Sequence, residues 1–171
     1  MSDNEQQAQF ERLVMPHLDA AYNLARWLAG NDHDAQDIVQ DACVRAFRFV
    51  GGCRGSEGRA WLLAIVRNTA YSWLKKNRSQ PLISIEDDEC PDIEDQKGEA
   101  SSFHSADTDA LRAALEALPL EFREALVLRE LEGLSYKEIA EVAEVPLGTV
   151  MSRLARARRQ LQGAFHRKGD V

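Results

Sequence analysis

Residues 134–161 read LSYKEIAEVAEVPLGTVMSRLARARRQL, and this stretch decides the fold of the C-terminal half. Ser135 precedes an apolar-periodic run and Glu138 follows three residues later, which is a capping box: each side chain satisfies a free backbone N–H of the first turn. The short helix it starts turns Ile139, Ala140 and Ala143 inward. Pro146 suits the first turn of a second helix, where a missing N–H costs nothing. Val150, Leu154, Ala157 and Leu161 then recur at three- and four-residue spacing as a buried stripe. Between Met151 and Lys168 stand six Lys or Arg and no acid. Two short helices joined by a tight turn, the second longer and basic, form a helix-turn-helix whose second helix suits a major groove. A basic helix at a C-terminus is also what a solvated face complementing the helix dipole looks like. The capped first helix, the tight turn and the proline entry favour DNA binding.

Outward from this stretch, 44% of the 171 residues are hydrophobic but only 7% aromatic. Ala, Leu, Glu and Arg dominate and β-branched runs are scarce, so the expected fold class is all-α. The net charge of −7 is unexpected for a nucleic-acid binder until it is divided along the chain. Residues 1–78 carry net +1, residues 79–107 net −8, and residues 108–171 net 0. The acidity therefore lies in the middle. There Pro81, Pro91, clustered acids and a serine-rich end break the helical periodicity. This segment reads as a flexible linker extended by self-repulsion. The expected organisation is a helical domain over 1–78, an acidic linker over 79–106 and the helix-turn-helix domain over 107–171.

In the N-terminal half, residues 1–7 are polar and expected to fray. Apolar residues recur at helical spacing from Phe10 to Leu28, with a break near Met15 because Pro16 follows. Asp32 or Asp34 is expected to cap the next helix, which turns Ala35, Ile38, Val39, Ala42, Cys43, Ala46 and Phe47 inward. Its outer face holds Gln36, Asp37, Gln40, Asp41, Arg45 and Arg48, with Asp41 and Arg45 spaced to pair. Four glycines in GGCRGSEG, residues 51–58, predict a loop, and no GK[ST] follows that would make it a phosphate loop. The next helix, residues 59–77, is expected to bury Trp61, Leu62, Ile65, Val66, Ala70, Trp73 and Leu74. Its other side offers Arg67, Asn68, Tyr71, Lys75 and Lys76. Residues 42–78 hold eight basic groups and one acid, whereas residues 1–41 hold two basic and eight acidic. Such polarity predicts one face for a basic partner and one for a polyanion. Basic residues interleaved with aromatics suit single-stranded nucleic acid. Beyond the linker, Leu111, Ala114, Leu115 and Leu118 mark one helix. Pro119 starts another with Phe122, Leu126, Val127 and Leu131 inside, which Gly133 closes.

Cys43, Cys53 and Cys90 are odd in number and form no CxxC, so neither a disulfide framework nor a zinc site is expected. The four histidines are scattered, with no nucleophile placed beside them, which argues against an enzyme. No metal or cofactor is expected. No signal peptide or membrane-spanning run is read, so the expected location is cytoplasmic.

These motifs resemble those of the extracytoplasmic-function sigma factors, small bacterial RNA polymerase initiation factors. Asp34-Ala35-x-Asp37-x-Val39-Gln40-Asp41 is similar to the helix with which the family grips the polymerase clamp. Trp61-Leu62-x-x-Ile65-x-Arg67-Asn68 is similar to the helix that opens and reads the −10 element. Leu118-Pro119, Gly133-Leu134-Ser135-Tyr136-x-Glu138-Ile139-Ala140 and Pro146-x-Gly148-Thr149-Val150-x-Ser152-Arg153-Leu154-x-Arg156-Ala157-Arg158 resemble the −35-reading domain. Met151 stands where many members carry Arg or Lys.

The resemblance implies core RNA polymerase and promoter DNA as partners, duplex at −35 and single-stranded at −10. It also implies promoter melting, a stress-responsive role, control by an anti-sigma factor, and an acidic linker that threads the polymerase's nucleic-acid channel. It implies polymerase contacts at Asp37, Gln40, Asp41 and Arg45. For the −10 element it implies Arg54, Ser56, Trp61, Arg67, Asn68, Lys75 and Lys76, and for the −35 element Thr149, Ser152, Arg153, Arg156 and Arg159. Two alternatives stand beside it: a stand-alone helix-turn-helix regulator, which needs no polymerase-binding face, and an interaction protein that occupies a partner without opening a promoter.

Overall fold

The computed structural model of the chain describes residues 2–53, 58–77 and 103–169. Among these the regular structure is helical: α1 (Asp3–Leu13), α2 (Leu18–Ala29), α3 (Asp32–Phe49), α4 (Gly58–Asn77), α5 (Phe103–Glu116), α6 (Leu120–Leu126), α7 (Tyr136–Ala143) and α8 (Leu147–Gly169). Pro16 breaks the first apolar run as expected, in a short 3₁₀ turn at Met15–His17. The polar N-terminus does not fray. Ser2 and Glu5 form a capping box, so α1 begins at Asp3. Phe10 then packs edge-on against Phe47, with ring centroids 5.5 Å apart. That contact leaves Phe47 39% exposed on the rim of α3 rather than in the core.

Gly30 ends α2 at φ +89°, a backbone shape that glycine takes without strain. The cap of α3 is Asn31, not Asp32 or Asp34: its side chain accepts the Asp34 N–H at 2.9 Å. Asp32 is instead held by the Tyr22 hydroxyl at 2.9 Å and Arg26 Nε at 2.8 Å, which draw its carboxyl below the usual range. In the second half, α5 starts at Phe103, four residues ahead of the expected boundary. The chain after α6 widens into a π turn, Val127–Leu131, which rotates Leu131 outward to 55% exposure. Pro146 stands just before α8 rather than within it, and its carbonyl accepts the N–H groups of Thr149 and Val150. The expected linker, residues 79–102 above all, lies outside the described residues.

Helix α4 is more apolar than a one-sided amphipath, because it has neighbours on two sides. It packs on α2 and α3, and also on α7 of the second half. Leu62, Leu63, Val66, Thr69, Ala70 and Leu74 are buried, while Trp61, Ile65 and Trp73 lie half-buried at the margin. Helix α6 packs on α8 and reaches α2. The buried side chains accordingly form one continuous cluster, from Leu24, Ile38 and Leu62 to Leu128, Ile139 and Leu154. The two halves thus share a core, although their composition alone suggests softly linked domains.

Candidate polymerase and nucleic-acid interfaces

On α3, burial of Ala35, Ile38, Ala42 and Ala46 on one side leaves Asp37, Gln40, Asp41 and Arg45 exposed within about two turns. Asp41 pairs with Arg45 at 3.8 Å, the spacing anticipated from sequence, and Asp37 meets His33 at 3.7 Å. Exposed pairs of this kind add little stability, about 0–1 kcal/mol. The residues therefore remain available to a partner at small cost. Arg45 also donates from Nη1 to the buried Thr69 hydroxyl at 3.3 Å, which ties the polar face of α3 to α4. Thr69 in turn donates to the Ile65 carbonyl at 2.7 Å. Its role was not legible in the sequence, since a threonine between Asn68 and Ala70 carries no pattern of its own.

On α4, Asn68, Lys75 and Lys76 are exposed and Trp61 is half-buried. The lysines sit in the last turn, where the helix dipole favours cations. Arg54 and Ser56 lie outside the described residues. Arg67 departs from expectation: it does not stand on an open face. Its Nε meets Glu124 Oε1 of α6 at 2.7 Å, and its Nη1 donates to Asn68 Oδ1 at 3.2 Å. The guanidinium also stacks 4.0 Å over the Tyr71 ring. The Tyr71 hydroxyl donates to Glu124 Oε2 at 2.8 Å. Both carboxylate oxygens of a side chain only 1% exposed are thereby taken by α4. Burial pushes the Glu124 carboxyl up, opposed by the Arg67 charge and the Tyr71 hydrogen bond. Burial and the adjacent Glu124 charge push the Tyr71 hydroxyl up, so it stays protonated and able to donate.

The helix-turn-helix forms as the sequence predicts. The Ser135–Glu138 capping box is complete, with N–H to oxygen distances of 3.1 and 3.0 Å. Glu144 ends α7 in a left-handed conformation, φ +56°, and its N–H reaches the Ala140 carbonyl. Val150, Leu154 and Ala157 are buried, and Leu161 is half-buried. Ser152, Arg156 and Arg159 lie on the exposed side of α8, with Thr149 half-buried in its first turn. Arg153 is on the flank, 18% exposed, with Nη2 3.2 Å from Glu121. Arg158 pairs with Glu130 at 2.8 Å. Leu147 and Met151, one turn apart, are 48% and 53% exposed at the start of the helix. The sequence already set Met151 outside the buried stripe, at a position where many members of the family it resembles carry Arg or Lys, whereas the exposure of Leu147 was not read from it.

Among the described residues no group of three or more His, Cys, Asp and Glu could hold a metal, and no helix is long and apolar enough to cross a membrane. Burial raises the thiols of Cys43 and Cys53, which disfavours their reactive form. Cys90 lies outside the described residues.

An exposed acidic-polar helix face, a basic helix and a helix-turn-helix in this order define a factor with two sigma-type regions. The family model for Sigma-70 region 2 matches residues 13–80, and that for Sigma-70 region 4 matches residues 108–161. The ECF RNA polymerase sigma factor SigE of Mycolicibacterium smegmatis is 39% identical over 155 residues, 90% of this chain and 60% of that protein. The RNA polymerase sigma-H factor of Pseudomonas aeruginosa is 35% identical over 167 residues, 91% of this chain and 86% of that one. The sigma factor RpoE from Bartonella quintana, solved in complex with the anti-sigma factor NepR, superposes with a TM-score of 0.70 at 28% identity. That match covers 92% of this chain and 96% of that chain. The chain belongs to the ECF, or extracytoplasmic-function, RNA polymerase sigma factors, as its 34% and 36% identity to the ECF RNA polymerase sigma-E factors of Haemophilus influenzae and Escherichia coli shows, matches that cover 77% and 70% of those proteins.

Proposed function

We propose that the chain binds core RNA polymerase in the cytoplasm, recognises the −35 and −10 elements of its promoters, assists their melting, and is held in check by an anti-sigma factor. In this reading residues 1–78 supply the clamp and −10 contacts, residues 107–171 the −35 contact, and residues 79–106 the connection. The observation that carries it is the exposed polar face of α3, Asp37, Gln40, Asp41 and Arg45, in a chain that also carries the basic helix α8 of a helix-turn-helix. A duplex-binding regulator has no need of such a face. On α8, Ser152, Arg156 and Arg159 reach base edges, while Thr149 and Arg153 hold backbone phosphate. An arginine facing guanine reads two acceptors at once, whereas phosphate contacts position without specifying. The exposed Leu147 and Met151 offer apolar surface of the kind that meets a thymine methyl group. On α4, Asn68, Lys75 and Lys76 line the path of the melted strand, with Arg54, Ser56, Trp61 and Arg67 completing it.

Anti-sigma control is supported by the likeness to Bartonella quintana RpoE, whose structure is a complex with such a factor. The test is transcription by core polymerase, with and without the protein, from one promoter supplied as intact duplex and as a pre-melted bubble. Protein-dependent initiation on both templates is expected. Specific duplex binding without polymerase and no protein-dependent initiation would support the stand-alone regulator instead.

A further inference from the structure

The exposed half of α8 divides into two rows. Ser152, Arg156 and Arg159 make a polar row, the one assigned above to base edges. Beside it Leu147, Met151 and Ala155 follow one another at four-residue intervals, so they lie in line along the helix. All three are exposed, Leu147 to 48% and Met151 to 53%, and none belongs to the buried stripe of Val150, Leu154 and Ala157. Gly148 stands between the rows, exposed, with nothing within 4 Å of an added Cβ. The backbone of the first turn can therefore come close to the floor of a groove.

The charge on this side of the helix argues against a grip on phosphate. Arg158, seven residues beyond Met151 and on the same side, is engaged by Glu130 at 2.8 Å. The apolar row thus brings hydrocarbon and a thioether to the groove, with the cations of the first turns on the other side of the helix. In the major groove the group that answers an apolar side chain is the C5-methyl of thymine.

We propose that Met151 and Leu147 are specificity-determining residues of the −35 contact, selecting thymines by their methyl groups at positions about two base pairs apart. The inference rests on the placement of α8 in the −35 major groove and deepens that reading. Residues four apart are separated by about 6 Å along a helix, and successive base pairs by about 3.4 Å, which sets the spacing. Recognition helices enter the groove by their N-terminal residues, where Leu147 and Met151 stand. Ala155 lies one turn further on and has only a methyl group to offer. The flexible thioether of Met151 adapts to the surface it meets. Burying one methyl group contributes about three- to fivefold in affinity.

The experiment uses holoenzyme assembled from the full chain and core RNA polymerase. Duplexes randomised through the upstream block are selected by wild type, Met151→Ala, Leu147→Ala, Met151→Arg and Arg156→Ala. In the duplex that wild type retains, each thymine of the −35 element is then replaced singly by deoxyuridine, which removes the methyl group and keeps every hydrogen bond. Deoxyuridine at two positions should weaken wild-type binding about three- to fivefold each. One of these losses should vanish in Met151→Ala and the other in Leu147→Ala. Met151→Arg should lose the first thymine preference and steepen the salt dependence by about one. Unchanged wild-type affinity at every deoxyuridine overturns the proposal, and so does a loss that persists in both alanine variants. In either case a guanine preference that still depends on Arg156 leaves the −35 reading standing, and poorer holoenzyme assembly by Met151→Arg would assign the apolar row to a protein surface instead. If wild type retains no preferred upstream sequence and Arg156→Ala changes nothing, the −35 reading fails and the thymine assignment with it.

Discussion

Gly58 is the first residue of α4 and is buried against the end of α1. A Cβ placed on it would lie 2.0 Å from the Leu13 carbonyl oxygen, 2.8 Å from its carbon and 3.0 Å from its Cα. Carbon and oxygen rarely approach closer than about 3.3 Å. All three obstructing atoms are backbone, so no side chain can rotate away. Gly58→Ala therefore has to push α1 and α4 apart by more than an ångström. That movement disturbs Leu13 and Val14, which are 3% and 0% exposed. Overpacking of this kind costs about 1–3 kcal/mol, and a rigid obstruction places it near the top of that range. For a chain of this size each kcal/mol lowers Tm by about 2–4 °C, so a fall of about 6–12 °C is expected.

The internal comparison is Gly163→Ala. Gly163 lies inside α8 with nothing within 4 Å of an added Cβ. Alanine there reduces unfolded-chain entropy and favours the helix by up to about 1 kcal/mol. Thermal unfolding followed by far-UV circular dichroism should move in opposite directions for the two variants. Because Gly58 directly follows residues 54–57, which include Arg54 and Ser56 proposed for the −10 element, Gly58→Ala should also weaken use of that element at temperatures where it stays folded. If Gly58→Ala melts within about 2 °C of wild type, the ends of α1 and α4 can part cheaply and the reasoning fails.

Three further outcomes are expected. Arg156→Ala should relax base preference in the −35 element by about 1–3 kcal/mol at one position, whereas Arg153→Ala should weaken all sequences alike and lower the salt slope by about one. Binding to single-base −35 variants at two salt concentrations checks this, and uniform losses for both would remove the distinction. Gln40→Ala combined with Asp41→Arg should weaken holoenzyme assembly while leaving Tm near wild type, because both side chains are exposed on α3; a pull-down titration against core polymerase measures it. Ser135→Ala should cost about 1 kcal/mol by removing the cap of α7. The Glu138 carboxyl is drawn below its ordinary 4.5 mainly by the Ser135 backbone N–H. Its share of stability is thus present above pH 4.5 and lost as pH falls through the lower folded value, and Glu138→Gln should flatten that part of the urea-melt pH profile.

Helix-turn-helix residues were legible because their signals are local. A capping box needs only Ser135 and Glu138, and the stripe Val150, Leu154, Ala157 needs only one helix. The break at Pro16 is equally local, since it depends on a ring that fixes its own backbone. The misreadings have a common origin elsewhere. Phe47 sits at a core spacing but is drawn to the rim by Phe10, a partner 37 residues earlier in the numbering. Leu131 is carried outward by one extra residue in the π turn, a shift that periodicity counted at 3.6 cannot register.

Arg67 is the informative case, because its misreading followed from treating α4 as a helix with one buried side. A helix packed between two layers has a second stripe that must also be buried, and any charge on it needs a partner there. On α4 that stripe carries Arg67 and Tyr71, and the matching acid stands at Glu124, 57 residues further on. In the sequence Glu124 is one glutamate among many in a helix with Glu121 on the same face, and nothing marks it as buried. Only its 1% exposure distinguishes it. A carboxylate is left in such a place at considerable desolvation cost, whereas a leucine would pack there more favourably. Glu124 therefore contributes the orientation of one half on the other more than it contributes stability.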